Sequence, residues 1–187
     1  VSADAELYRK SFARLLSRDA KPVYQDGLSL VTLVPQGQVS LLTQKVHRRC
    51  AGPRMRIGVL LLGVGNIGEA WIDLFKRARL GLNQDLEATV ELVGLVSSQK
   101  AFIADQSVDL DNWKQQYEQQ ASEWTYDSLF AELEQLSCDE IVALDISASA
   151  TLTLQYPELF ARGIHVVSAN KLAGSGPLPF YRELKQQ

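Results

Sequence analysis

The sequence predicts an α/β protein built on a doubly wound, mainly parallel sheet, and three observations predict it. From Met55 onward, apolar strand-like runs alternate with helical patterns, as parallel strands joined by crossover helices do. The run "RIGVLLLG" is almost continuously apolar, which suits a strand covered by helices on both faces of the sheet. Between that run and a helical segment lies "GVGNIG", residues 63–68, a glycine-rich turn of the kind that opens a dinucleotide-binding crossover.

The bulk numbers bound the answer. A chain of 187 residues holds one domain, or one domain and part of another. With 46% apolar and 22% charged residues, it can bury an ordinary core. A net charge of −3 gives no basic surface for nucleic acid and no polybasic membrane patch, so the expected partners are small molecules. The apolar run Val59 to Leu62 is far too short to span a bilayer. Cys50 and Cys138 lie far apart without metal-ligand spacing and read as two thiols in a reducing cytoplasm. His47 and His165 are isolated and read as structural or surface histidines, so no metal site is expected. The chain starts at Val1 without an initiator methionine or signal segment, and it stops inside an expected helix, "PLPFYRELKQQ". Both ends are expected to be cuts within a longer protein.

Residues 1–52 form a first unit. "AELYRKSFARLL" sets Leu7, Phe12, Leu15 and Leu16 near one helical stripe. "KPVYQDGLSLVTLV" gives two strand-like runs joined at Asp26-Gly27, a hairpin signal. "QVSLLTQKVHRRC" returns to helical spacing through Val39, Leu42 and Val46, and "AGPR", 51–54, is the expected linker. A helix-strand-strand-helix unit of this size closes little core alone and leaves strand edges to cover, so a homo-oligomer is expected.

Residues 53–187 form the second unit, a Rossmann-type sheet. The helix after the glycines is expected to bury Ile67, Ala70, Trp71, Leu74, Phe75 and Ala78. "ATVELVGLVSS" and "DEIVALDIS" are further strands, and "LTLQYPELFARG" is a helix broken near Pro157 and stopped by Gly163. "IHVVSAN" is one more strand, expected to run out to Asn170-Lys171 ahead of a glycine-rich loop. Residues 100–126 are polar and glutamine-rich and read as an excursion with some helix, outside the sheet.

Four clusters carry candidate chemistry. Gly63 permits a tight turn, Gly65 lets backbone approach a pyrophosphate, and Gly68 lets helix and strand pack closely. The helix opening at Asn66 and Ile67 then offers unpaired amides to phosphate charge. The second strand ends in Ser97-Ser98-Gln99-Lys100, with no acid to bond the ribose of NAD and with hydroxyls and a cation suited to a 2′-phosphate. NADP is therefore the expected cofactor, with NAD tolerated, although Lys100 also reads as a solvated surface lysine. At the tip of "LDISAS", Ser147, Ala148 and Ser149 leave room for a nicotinamide ribose, and Asp145 reads as a local cap or orienting residue without a catalytic role. Asn170 and Lys171 end the next strand, where an ammonium could protonate a carbonyl oxygen as hydride arrives; the residues alone also allow a plain surface lysine.

Taken together, "RIGVLLLGVGNIGEAWIDLF", "LDISAS" and "GIHVVSANKLA" resemble the cofactor domain of homoserine dehydrogenases, most of all the form fused behind an aspartokinase. "VDLDNW" and the polar helical stretch after it are similar to an insertion those fused enzymes carry. Residues 1–52 resemble, more loosely, the end of an ACT-like regulatory region. The resemblance implies reversible NAD(P)H-dependent reduction of aspartate 4-semialdehyde to homoserine, on the path to threonine and methionine. It implies that Gly63, Gly65, Asn66, Ile67 and Gly68 form the pyrophosphate loop, and that Ser97 and Ser98 sit at the ribose. It further implies that Ser147 to Ser149 flank the nicotinamide and that Lys171 transfers a proton. The family's "GAGLP" segment, its substrate domain and the kinase are not in this sequence, so the chain alone is expected to be inactive. A non-catalytic NAD(P)- or amino-acid-sensing dimerisation module stays open beside the enzyme reading; Lys171 is the residue such a module would not need.

Overall fold

The computed structural model describes residues 21–25, 30–40, 42–43, 55–86 and 88–186. The chain divides into two compact units, Val1–Pro53 and Arg54–Gln187. In the first, β1 (Lys21–Gln25) and β2 (Leu30–Leu33) pair antiparallel, with Lys21 opposite Leu33 and Gln25 opposite Leu30. A 3-10 turn at Gln36–Gln38 leads into helical backbone at 39–40 and 42–43. The helix expected before residue 20, the Asp26-Gly27 turn, Val46, His47, Cys50 and the 51–54 linker lie outside the described residues.

The second unit runs β3 (Met55–Leu62), α1 (Asn66–Asp85), β4 (Ala88–Val96), β5 (Lys100–Ile103), α2 (Trp113–Gln120), β6 (Ser122–Glu123) and α3 (Tyr126–Gln135). It continues with β7 (Glu140–Asp145), α4 (Ala150–Thr153), α5 (Tyr156–Ala161), β8 (Ile164–Ser168), α6 (Leu172–Ser175) and α7 (Leu178–Leu184). The sheet order is β6-β5-β4-β3-β7-β8. Strands β4, β3, β7 and β8 are parallel, and β5 and β6 add antiparallel at the β4 edge. The chain leaves β3 toward β4 on one side and later returns to β7 on the other. That reversal opens a crevice at the carboxyl ends of β3 and β7, where open α/β sheets bind their ligands.

Side chains alternate across the central strand, which explains its unbroken apolar run. Val59 and Leu61 pack with α1 and Trp113 on one face; Leu60 and Leu62 pack with α3 and α5 on the other. Each fully buried leucine here contributes about 2 kcal/mol of transfer free energy. Among the described residues no helix is long and apolar enough to cross a membrane.

Three expectations are corrected. The buried face of α1 consists of Gly68, Ile72 and Phe75, with Trp71 stacked on Phe75 at 4.9 Å. Ile67 and Leu74, assigned to the core by periodicity, are 67% and 56% exposed, and Ala70 and Ala78 are exposed too. The cause is steric: α1 docks through Gly68, where a Cβ would overlap the Gly63 carbonyl oxygen, and that close approach sets the inward face. Next, residues 100–126 are not wholly outside the sheet. β5 bonds to β4 with Leu95 opposite Phe102, and β6 extends it with Lys100 opposite Glu123. "KAFI" is too short for a periodic signal, and its pairing depends on the tight turn before it. Finally, β8 stops at Ser168, so Asn170 and Lys171 lie beyond the strand, and the expected glycine-rich loop is the helical turn α6.

The break at Pro157 is as expected: Leu154 and Gln155 form a turn, and α5 begins with proline in its first turn. Gly163 follows it with φ 73°, the left-handed backbone that ends many helices.

Candidate functional site

The site lies along the carboxyl ends of the parallel strands. The glycine turn is tethered on both sides: the Gly63 N–H donates to Val96 O of β4 (2.8 Å), and the Ile146 N–H donates to Leu62 O (3.0 Å). Gly63 has φ 117°, and a Cβ there would come within 3.1 Å of the Ser147 nitrogen, so the turn and the 146–149 loop are in contact. Gly65 differs. A Cβ on it would meet nothing within 4 Å, and its backbone is extended with negative φ. The space is therefore not needed by the protein's own packing.

Immediately behind that space α1 begins. Gly65 N-caps it without a side-chain hydrogen bond, and its carbonyl accepts from the Glu69 N–H at 2.9 Å. The amides of Asn66, Ile67 and Gly68 thus precede the first amide that donates within the helix, that of Glu69, and no side chain caps the turn. A 20-residue helix with an open N-terminus puts partial positive charge there, suited to a pyrophosphate. Glu69 in the first turn would oppose an anion, but it pairs with Lys114.

At the end of β4 the sequence candidates separate. The Ser97 hydroxyl accepts from the Gln99 and Lys100 amides (3.2 and 3.0 Å) and reaches the Lys100 carbonyl at 3.1 Å, so it builds the turn. Trp124 Nε1–H donates to Ser97 O and the Tyr117 hydroxyl donates to Lys100 O, both at 3.0 Å, fixing the turn from the insertion side. Ser98 and Lys100 are exposed at its tip.

The loop after β7 is ordered by its own side chains. Asp145 is completely buried, and its Oδ1 accepts from the Ser147 N–H at 2.8 Å. The Ser147 hydroxyl accepts from the Ser149 N–H, and the Ser149 hydroxyl caps α4 by accepting from the Leu152 N–H, both at 3.2 Å. Ala148 is exposed between them. Asp145 is thus the orienting residue the sequence allowed for.

Asn170 is only 8% exposed, and both ends of its amide are used. Nδ2 donates to Ser149 O (3.0 Å) and to Asp145 Oδ2 (3.3 Å), while Oδ1 accepts from the Leu172 N–H (3.1 Å). It clamps two loops and offers a ligand little. Lys171, next to it, is exposed, and its side chain has no ion-pair partner among the described residues.

Tyr156 escaped sequence reasoning. The buried Tyr156 hydroxyl donates to Asp145 Oδ2 at 2.5 Å and lies 2.8 Å from Ser168 Oγ. Burial, and then the Asp145 carboxylate, push this hydroxyl far above its ordinary range, so it remains a donor. Nothing local in "QYPEL" signals that role; it arises from the packing of α5 on the sheet. Cys138 is buried beneath Gly58, and His165 is a surface residue 3.2 Å from Glu140. Among the described residues no group of three or more potential ligands could hold a metal.

Comparison with known proteins bears on the family and the fold. The family model described as homoserine dehydrogenase, NAD binding domain, matches residues 63–187. The bifunctional aspartokinase/homoserine dehydrogenase 2 of Escherichia coli K12 is 34% identical over 159 residues, covering 85% of this chain and 20% of that protein. A chloroplastic bifunctional aspartokinase/homoserine dehydrogenase 2 of Arabidopsis thaliana is 26% identical over 75% of this chain and 15% of its own length. The chain therefore spans a fifth or less of these relatives. In fold it is similar to a Candida auris protein of unknown function (TM-score 0.55, 23% identity, 71% of this chain and 35% of that one). It is similar also to a hyperthermophilic archaeal homoserine dehydrogenase mutant solved with NADPH (TM-score 0.52, 15% identity, 71% and 41%). With its glycine turn, open helix N-terminus and three of the four parallel strands inside the matched span, the chain belongs to the homoserine dehydrogenase NAD-binding domain family.

Proposed function

We propose that residues 53–187 are the NAD(P)-binding part of a homoserine dehydrogenase that interconverts aspartate 4-semialdehyde and homoserine in threonine and methionine biosynthesis. On this reading the parent protein is a cytoplasmic, homo-oligomeric aspartokinase/homoserine dehydrogenase, residues 1–52 end an ACT-like regulatory region, and this chain alone binds cofactor without turnover. The observation that carries the reading is the exposed Gly65 backbone at the uncapped α1 N-terminus, two residues after Gly63, which touches the 146–149 loop.

A bound nicotinamide supplies the hydride. The amides of Asn66, Ile67 and Gly68 hold the pyrophosphate charge. Ser98 and Lys100 meet the adenosine ribose, where the ammonium favours a 2′-phosphate, so NADP is preferred and NAD tolerated. Ser97 acts by shaping that turn, and Ser147, Ala148 and Ser149 border the nicotinamide ribose. The Lys171 ammonium stabilises charge on the substrate oxygen and gives it a proton.

Calorimetric titration of the chain with NADPH and NADH tests this. NADPH is expected to bind about tenfold more tightly than NADH, with the difference lost in Lys100→Ala. A Gly65→Val chain that binds NADPH as well as the unaltered one would overturn the assignment.

A further inference from the structure

The buried polar cluster behind the 146–149 loop has more order than loop closure requires. Asp145 has no solvent exposure, and its two oxygens receive donors from three separate segments: the Ser147 amide, the Tyr156 hydroxyl and the Asn170 amide group. Ser168 Oγ lies 2.8 Å from the Tyr156 hydroxyl, donates to Asn170 O and accepts from the Asn170 N–H, both at 3.0 Å. Asn170 passes the connection on to Ser149 O and the Leu172 N–H. A single carboxylate therefore fixes the backbone on both sides of the exposed Lys171 and the backbone of the loop touching Gly63.

We propose that Asp145 and Tyr156 are positioning residues, which hold the 146–149 loop and the Asn170-Lys171 segment in the one relative placement that accepts the nicotinamide end of the cofactor. Neither touches a ligand; both act through Ser147, Asn170 and Leu172. The inference rests on the proposed cofactor site. It adds a division within that site: the adenosine end, at the β4 turn, is built by Ser97, Trp124 and Tyr117 and is independent of Asp145.

The chemistry suits the task. A carboxylate accepts from all three donors at once without donating, and charge-assisted bonds hold more firmly than neutral ones. The tyrosine stays protonated, so it remains a donor throughout the working pH range. A buried network of this kind confers one arrangement when every member is satisfied and loses it when one is removed.

Two measurements on the whole chain test the proposal, using Tyr156→Phe, which keeps the packed ring and removes only the hydroxyl. First, amide hydrogen exchange: Ser147 and Leu172 are expected to exchange about tenfold faster, while Gly63, bonded to Val96, is unchanged. Second, titration with NADPH and with 2′,5′-ADP, which carries only the adenosine end: NADPH is expected to bind about five- to tenfold more weakly, with 2′,5′-ADP within about twofold. Unchanged exchange at Ser147 and Leu172, or equal weakening of both ligands, would overturn the positioning role. Faster exchange in a chain whose unaltered form binds neither ligand would instead remove the cofactor reading, and with it the function given to the network. Asn170→Ala, which cuts the later link, is expected to speed Leu172 exchange while leaving the Ser147 amide on Asp145.

Discussion

At the scale of single residues, the three glycines of the turn do three different jobs, and substitution separates them. Gly68 is spaced for packing: a Cβ would overlap the Gly63 carbonyl oxygen, which is backbone and cannot step aside cheaply. Gly68→Ala is therefore expected to cost about 2 kcal/mol of stability, read by urea unfolding. Gly65 carries no such load, since its φ of −86° suits other residues and nothing lies within 4 Å of a Cβ. Gly65→Val should change stability by less than about 1 kcal/mol while removing cofactor binding. Equal destabilisation by both would mean the turn is a packing device only. Lys171 is the opposite case, an exposed cation whose side chain has no ion-pair partner among the described residues. In the full-length parent, Lys171→Ala is expected to lower kcat by about 10² or more with unchanged unfolding, as losing an acid–base group does. A drop of only a few-fold would favour the sensing module over the enzyme.

At the scale of elements, helix ends and edges decide what sequence can reveal. α3 begins with a reciprocal cap: the Ser128 N–H donates to Thr125 Oγ1, and the Thr125 N–H donates to Ser128 Oγ. Thr125→Ala should cost about 1 kcal/mol by thermal or urea unfolding and leave NADPH affinity alone, because the cap serves the core and not the crevice. β3 was legible in the sequence because burial on both faces demands a nearly unbroken apolar run, and β4 and β7 because short apolar-rich runs alternate with helical patterns. α1 was legible as a helix but not in its facing, since periodicity ranks stripes by apolar content while the Gly68 contact chose the stripe with Ile72. β5 was illegible, because four residues held by a turn and by Trp124 and Tyr117 show no period. The candidate site was legible at the glycines, and at Ser147–Ser149 and Lys171 as small or charged residues near strand tips. Tyr156 was not, because its partner Asp145 is eleven residues away and only the fold brings the two together.

At the scale of the whole second unit, the candidate site and a second polar cluster, centred on Arg56, occupy opposite ends of the sheet. The candidate site uses the carboxyl ends of β3, β4 and β7. At the amino end, Arg56 ties β3 to three other segments: its Nε bonds Glu91 of β4 at 2.5 Å and Nη1 bonds Ser137 Oγ at 2.7 Å. Nη2 bonds the Gln106 carbonyl of the insertion, and the Arg56 N–H donates to Asp139 Oδ2 at 2.7 Å. The Arg56 and Glu91 side chains are 16% and 22% exposed, so water replaces the lost bonds poorly. Arg56→Met, which keeps most of the packed stem, is expected to cost about 2–3 kcal/mol, somewhat below a fully buried pair because of that residual exposure. Between Arg56 and Gly63 the strand buries Val59 to Leu62 and pairs with β4 and β7, so loosening one end should not move the other. Below the lowered unfolding transition, the variant's NADPH affinity should stay within about twofold of the unaltered chain. Calorimetry on Arg56→Met beside Gly65→Val reads this directly: one loses stability and keeps affinity, the other does the reverse. A coupled loss of both in Arg56→Met would mean that the insertion held by Gln106 sets the β4 turn from afar, through Tyr117 and Trp124.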